Sequence, residues 1–424
     1  MSVSRNARRM LAVLVTIGTA LALVTPTASA KENWHPGWVG AWSGSVQQAS
    51  APPWGESGWS AEGFDNHSVR QVVRVSTGGP TLRVRLSNEY GAAPLRLTGA
   101  TVAKAGEGAA VRPGTLRPLT FRGAKSTVIG AGGTLASDPV LLPTAALDEL
   151  SVTLYFAGST GPSTQHNLAS ELSYRAEGDR RFDRSGRAFD ETSQSWYYLS
   201  GVDVIGWLPW HRGSVATFGD SITDGFGSTV GANNRYPNEL AERLVAAGKP
   251  LGVLNAGISG NRVLSDSPCF GEKGIARFER DVLDQPGVRT VIVLEGINDI
   301  GFSALDVPGE CGLPKREVTA EELIAGHRQL IRAAKQEGVK VIGATLLPYK
   351  GAGYYTQEGE RIRDAVNEWI RTSGAYDVVV DLDRALADPN DPDRLNPAYD
   401  SGDALHPNDA GMHAMAAAID LNTL

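Results

Sequence analysis

From residue 214 onward the chain repeats one pattern: an apolar, β-branched run, a loop, then a helical stretch. The runs fall at 214–218, 253–257, 290–294, 339–345 and 378–382. Helical patterns lie between them, over about 233–247, 275–283, 319–337 and 357–371, and a last one follows Pro407. Thr319 with Glu322 three residues on forms a capping box at the start of one of these helices. Strands that are apolar throughout must be covered on both faces. Strands alternating with helices therefore predict an α/β unit: a five-stranded parallel sheet wrapped on both sides.

The preceding stretch has a different grammar. Residues 69–75, 82–86, 95–103, 127–129, 150–156 and 195–205 read as short strands separated by Gly, Pro and Asn, the pattern of an all-β sandwich or jelly-roll-like domain. In Leu82-Arg83-Val84-Arg85-Leu86 apolar and basic residues alternate strictly, which predicts a half-buried strand with solvated arginines. Trp34, Trp38, Trp42, Trp54 and Trp59 cluster early. They are read as caps of the β-core or plugs of an interdomain seam, in preference to platforms for sugar rings. The boundary is placed near residue 210.

Arg5, Arg8 and Arg9, an apolar run over 11–24 and Ala28-Ser29-Ala30 have the form of a secretory signal peptide cleaved after Ala30. The expected organisation is thus a leader over 1–30, a β-domain over 31–210 and a second domain over 211–424. The secreted chain has no membrane anchor, since no other stretch is long and apolar enough to span a bilayer. Its 37 basic and 47 acidic residues give a formal charge of −10, the total of 40 basic residues less three in the leader, which argues against a nucleic-acid partner. Cys269 and Cys311 are expected to be bridged in an oxidising compartment. No second Cys or His stands at ligand spacing beside them, so neither a metal nor another cofactor is expected.

Four motifs stand at strand ends, where open α/β sheets bind ligands. They are Gly219-Asp220-Ser221, Asn255-Ala256-Gly257-Ile258-Ser259-Gly260-Asn261, Glu295-Gly296-Ile297-Asn298-Asp299 and Asp403-Ala404-Leu405-His406-Pro407. Ser221 is a candidate nucleophile. A hydroxyl needs a base, and His406 is the candidate; Asp403 can orient the imidazole. A developing oxyanion needs fixed donors, and the amides of Ser221 and Gly260 with the side chain of Asn298 supply three. His413 is read as structural; His35, His67, His166, His211 and His327 have no supporting motif.

These four blocks resemble those of the SGNH, or GDSL-type, hydrolase superfamily, whose Ser, Gly, Asn and His match Ser221, Gly260, Asn298 and His406. The match covers about residues 213–424, with Ile222 where many members have Leu. The whole chain is similar to actinobacterial secreted esterases with an N-terminal β-domain. The resemblance implies a flavodoxin-like sheet. It also implies a serine nucleophile, acid and base from the D-x-x-H block, and an oxyanion hole completed by the glycine and asparagine. It implies an ester substrate, on a small molecule or a polysaccharide, with short acetyl esters as the leading expectation. A lipase, a deacetylase of a small-molecule or antibiotic ester, an acyltransferase and a non-catalytic glycan-binding protein stay open, as does the oligomeric state. Phe302, Tyr349, Tyr354 and Tyr355 are read as pocket walls or core, and the segment 263–286, pinned by Cys269, as a border of the acyl or leaving-group pocket.

Overall fold

A computed structural model describes residues 37–424 except 51–57, 208–212, 304, 306–310 and 312–315. The expected leader and cleavage site, Trp34, Trp54, His35, His211 and the expected boundary near residue 210 lie outside the described residues.

Among the described residues, the first half forms two large antiparallel sheets and two two-stranded ribbons, Leu95–Leu97 with Thr127–Ile129 and Gln165–His166 with Trp196–Tyr197. One large sheet contains strands Trp38–Ser43, Gly79–Asn88, Gly133–Ala136, Val140–Thr144 and Leu199–Ile205. The other contains His67–Arg74, Gly99–Lys104, Arg117–Leu119, Glu149–Phe156, Ser173–Glu177 and Glu191–Ser193. Inward-facing residues of both, among them Val69, Val73, Leu82, Val84, Val102, Val152, Val202 and Val204, share one apolar core. This is the expected sandwich. The single expected strand over 95–103 is two, Leu95–Leu97 and Gly99–Lys104, which pair in different sheets. Trp38, Trp42 and Trp59 are buried against Arg83, Trp196 and Tyr197, as caps of the core.

The alternating arginines depart from expectation. Arg83 and Arg85 are buried rather than solvated, and both pair with Asp203 across the sheet, at 2.8 and 3.0 Å. Arg85 also donates to Gln285 in the second half of the chain. Alternation fixed which residues share a face; the second half covers that face.

The second half contains strands β1 (Gly213–Gly219), β2 (Leu251–Gly257), β3 (Val288–Leu294), β4 (Lys340–Ala344) and β5 (Val378–Val380). All pair in parallel, in the order β2-β1-β3-β4-β5, which is the flavodoxin-like order. The helices used below are α1 (Ser221–Asp224), α2 (Tyr236–Ala246), α3 (Gly274–Phe278), α4 (Ile297–Ser303), α5 (Ala320–Gln336), α6 (Gln357–Thr372), α7 (Leu382–Leu386) and α8 (Asp409–Ala417). The capping box of Thr319 and Glu322 opens α5. Helix α3 runs on into a π-turn over Glu279–Leu283. Pro407 precedes the cap of α8, which is Asn408, rather than lying in its first turn.

Strand β2 is an edge of this sheet, and the sandwich covers it. Ser76 accepts from the Val253 amide and donates to its carbonyl, at 2.7 and 3.1 Å, and Ser43 donates to the carbonyl of Asn255. Gly40 lies against Leu254 so closely that a Cβ there would come within 2.8 Å of its side chain.

Asp203 is fully buried between two guanidinium groups, so removing it strands buried positive charge. Asp203→Ala is expected to lower the unfolding free energy by about 3–5 kcal/mol, measured by urea denaturation. A loss below about 1 kcal/mol would show that the pair is effectively solvated.

Candidate active site

The carboxyl ends of β1, β2 and β3 and the loop before α8 meet at one point. Ser221 opens the single turn α1 directly after β1. Asp220 caps that turn by accepting from the Ile222 amide, and Gly225, at φ 109°, ends it. Ser221 Oγ lies 2.7 Å from His406 Nε2. His406 Nδ1 lies 2.6 Å from Asp403 Oδ2. The amides of His406 and Leu405 donate to Asp403 Oδ1, at 2.8 and 3.0 Å. The reversal from Asp403 to His406 is made by Ala404 in the left-handed region, φ 59°, where a non-glycine residue is strained. Phe226 packs on the imidazole with ring centres 4.4 Å apart. Burial raises the Asp403 carboxyl, but the bond and charge of His406 and the two amides outweigh it and hold it down at about 2. An ionised Asp403 accepts from Nδ1–H, which leaves Nε2 as the acceptor facing Ser221.

The oxyanion candidates stand on the segments that follow the carboxyl ends of β1, β2 and β3. The Ser221 amide is at the start of a helical turn and has no intrahelical acceptor. Gly260 has φ +76°, and a Cβ on it would fall 2.3 Å from the Phe270 ring, so the position requires glycine. Asn298 Nδ2 donates one hydrogen to the Asn261 carbonyl, and its Oδ1 accepts from Tyr354, at 3.1 and 3.3 Å. The second hydrogen on Nδ2 is left for a ligand. Tyr354 reaches Asn298 over Gly301, where a Cβ would approach its ring to 2.5 Å. Of the four aromatic residues considered as walls, Tyr354 therefore orients Asn298, Phe302 stacks on Phe270, Tyr349 is core and Tyr355 packs on Tyr349.

Cys269 and Cys311 are joined, with Cα atoms 5.2 Å apart. Phe270 beside the bridge lines the glycine loop, while Gly271 and Glu272 face a cavity of about 270 Å³ with Gln48, Tyr90, Asp266, Ser267 and Pro268.

Several residues essential to this geometry carry no motif. Arg277 of α3 is fully buried. It donates to the carbonyls of Gly219 and Ala256 and to Asn261 Oδ1, each at 2.8 Å, tying the ends of β1 and β2 to the glycine loop. Asp224 accepts from both the amide and hydroxyl of Ser259, and from His166 of the sandwich. His166 thus has a partner that motif reading did not supply. His413 bonds Glu239 at the surface, His327 bonds Tyr376 in the core and His67 accepts from the Asp65 amide, so these three stand apart from the serine.

Beneath the serine three carboxyls are buried. Glu295 has no partner on either oxygen, and Asp220 Oδ2 has none. Asp299 accepts from the amides of Val263 and Leu264. Burial, with neighbouring negative charge, pushes Glu295 well above the ordinary carboxylate range. It raises Asp220 to about 7 and Asp299 to about 6.

Residues 217–414 match the GDSL-like Lipase/Acylhydrolase family. Among solved structures, the chain is similar to a catalytic mutant of Axe2, an acetylxylan esterase from Geobacillus stearothermophilus. The two are 27% identical over 49% of this chain and 93% of that one, with a TM-score of 0.37. It is also similar to LAE5, an alpha/beta hydrolase enzyme from the metagenome of Lake Arreo, Spain, at 24% identity over 49% and 94%, TM-score 0.37. A GDSL-like lipase from Bacteroides thetaiotaomicron is 19% identical over 50% and 86%, TM-score 0.36. No curated protein matches the chain.

The buried carboxyls make stability depend on pH in a defined direction. Folded Glu295 keeps a proton that the unfolded chain releases above about pH 4, so its contribution to stability falls as pH rises through the folded value. Glu295→Gln is expected to flatten the decline of Tm between pH 4 and 8 and to be more stable than the wild type at pH 8, measured by thermal melts. Parallel profiles for the two proteins would show that Glu295 is ionised in the fold.

Proposed function

We propose, from the membership of residues 217–414 in the GDSL-like lipase/acylhydrolase family, that this hydrolase is a secreted serine esterase acting on short-chain, chiefly acetyl, esters. The observation that carries the reading is the unbroken chain of contacts from Ser221 Oγ to His406 Nε2 and from His406 Nδ1 to Asp403. His406 takes the Ser221 proton as Oγ attacks the ester carbonyl. The carbonyl oxygen becomes an oxyanion, met by the amides of Ser221 and Gly260 and by Asn298 Nδ2. The tetrahedral species collapses, the C–O bond to the leaving alcohol breaks, and His406 returns the proton to that alcohol. Water, deprotonated by His406, then releases the acid from the acyl-serine.

Two aromatic neighbours support a small acyl group. Phe270 closes on Gly260 from one side and Phe226 lies on His406. The disulfide and the leader-like segment support secretion. No helix among the described residues is long and apolar enough to cross a membrane.

Ser221→Ala is expected to abolish turnover of p-nitrophenyl acetate and covalent labelling by a fluorophosphonate, with an unchanged circular dichroism spectrum. Retained turnover in that variant rules out Ser221 as the nucleophile. A panel of p-nitrophenyl esters is expected to give a kcat/KM at least about tenfold higher for acetyl than for octanoyl, since a chain longer by several methylenes meets the aromatic walls. The reverse order would point to a lipase.

A further inference from the structure

His166 belongs to the sandwich, in the two-residue strand Gln165–His166, and is only 3% exposed. Its Nδ1 lies 2.7 Å from the carbonyl oxygen of Ser45. Its Nε2 lies 2.9 Å from Asp224 Oδ1 and 3.1 Å from the carbonyl oxygen of Leu168. Both ring nitrogens thus face oxygen acceptors. A neutral imidazole has one N–H and one lone pair, and in this setting its lone pair would point at oxygen. Only the imidazolium donates on both sides. Asp224 has the complementary character, because its Oδ2 already accepts from the Ser259 amide and hydroxyl, at 2.9 and 2.7 Å.

Asp224 is the last residue of the turn that Ser221 begins, and Ser259 directly precedes Gly260. One carboxylate therefore ties the nucleophile turn to the oxyanion loop. A lone buried carboxylate would be costly; Arg235 lies in its field, and the charge in direct hydrogen-bond contact with it comes from His166 in the other half of the chain. We infer that His166 is held as an imidazolium and is a positioning residue for the nucleophile turn and oxyanion loop, so that the sandwich completes the site. The inference rests on the esterase reading above.

The charged neighbours agree with this assignment. His166, Asp224, Arg74, Glu171 and Arg235 line one small cavity at the seam. Arg235 donates to the Ala169 carbonyl and is attracted by both Glu171 and Asp224, and Arg74 pairs with Glu242. The Trp196 ring lies 5.2 Å from the imidazole. Burial lowers the tendency of the ring to hold its proton, but the charge and bond of Asp224 and the two carbonyls outweigh it, and the net shift is upward. A raised value in the fold means that the pair is fully formed below about pH 6.5 and is lost as pH rises past the folded value.

The test uses the full secreted chain. Proton–nitrogen NMR of 15N-histidine-labelled protein at pH 6.5, with His166 assigned by its loss in His166→Gln, is expected to show protons on both ring nitrogens. A bare ring nitrogen at that pH would overturn the inference. In parallel, His166→Gln and Asp224→Asn are each expected to lower kcat for p-nitrophenyl acetate about 10- to 100-fold with KM changed less than about twofold. Fluorophosphonate labelling of Ser221 should slow to match. The double variant should lose little more than either single one. A merely structural histidine would lower Tm and leave kcat of the folded enzyme intact, and that result would also overturn the inference. Should His166→Gln fail to fold, Asp224→Asn, which preserves shape, carries the kinetic comparison. Its loss of the histidine's second ring proton then supplies the assignment. An inactive wild type would refute the esterase reading while the NMR result still decided the protonation of His166.

Discussion

Arg277 is the interaction on which the site depends. Parallel strands end in carbonyls with no partner in the sheet, and two such ends, those of β1 and β2, must be held side by side for a nucleophile and an oxyanion loop to meet. Arg277 does this with one planar group, donating to the carbonyls of Gly219 and Ala256 and to Asn261, with its guanidinium 4.2 Å over the Phe218 ring. Its charge is matched by Asp281, one helical turn on. A lysine has no fork with which to reach three acceptors. The carboxyls of Glu295, Asp220 and Asp299 lie in the same buried region, and their raised proton affinity limits how much negative charge gathers under the serine.

The parts legible in the sequence were those that repeat or that stand at a fixed offset. Five apolar runs gave the strands of the parallel sheet. The three-residue step from Asp403 to His406 placed the carboxylate and the imidazole on one loop, and that loop faces Ser221. What escaped had no local signal. Arg277 lies in an unremarkable helical pattern, and its partners are carbonyls, which any residue provides. His166 and Asp224 are 58 positions apart, and nothing in either segment points to the other. Arg83 and Arg85 were misread for a related reason: alternation within a strand defines its two faces but is silent about what packs on them. The single run over 95–103 hid a change of sheet, although its core positions step from odd (Leu95, Leu97) to even (Ala100, Val102) across the break at Thr98.

Across the seam between the two apolar cores the contacts are mostly polar and specific. Arg85 meets Gln285, Arg74 meets Glu242, Tyr90 meets Glu272 and His166 meets Asp224. Such contacts fix orientation more than they supply affinity. They suit a β-unit that forms part of the catalytic framework better than a tethered module free to move on a linker.

The serine hydroxyls on strand β2 have a consequence for the life of the chain before catalysis. An edge strand with open amides and carbonyls is a template for another chain. Here Ser76 and Ser43 occupy those groups at Val253 and Asn255, and Gly40 presses its backbone close to Leu254. The covering residues lie N-terminal to the edge, so they have already been made when it emerges. The N-terminal half thereby protects the nascent sheet from self-association, and a shortened chain beginning at β1 would be born with that edge bare.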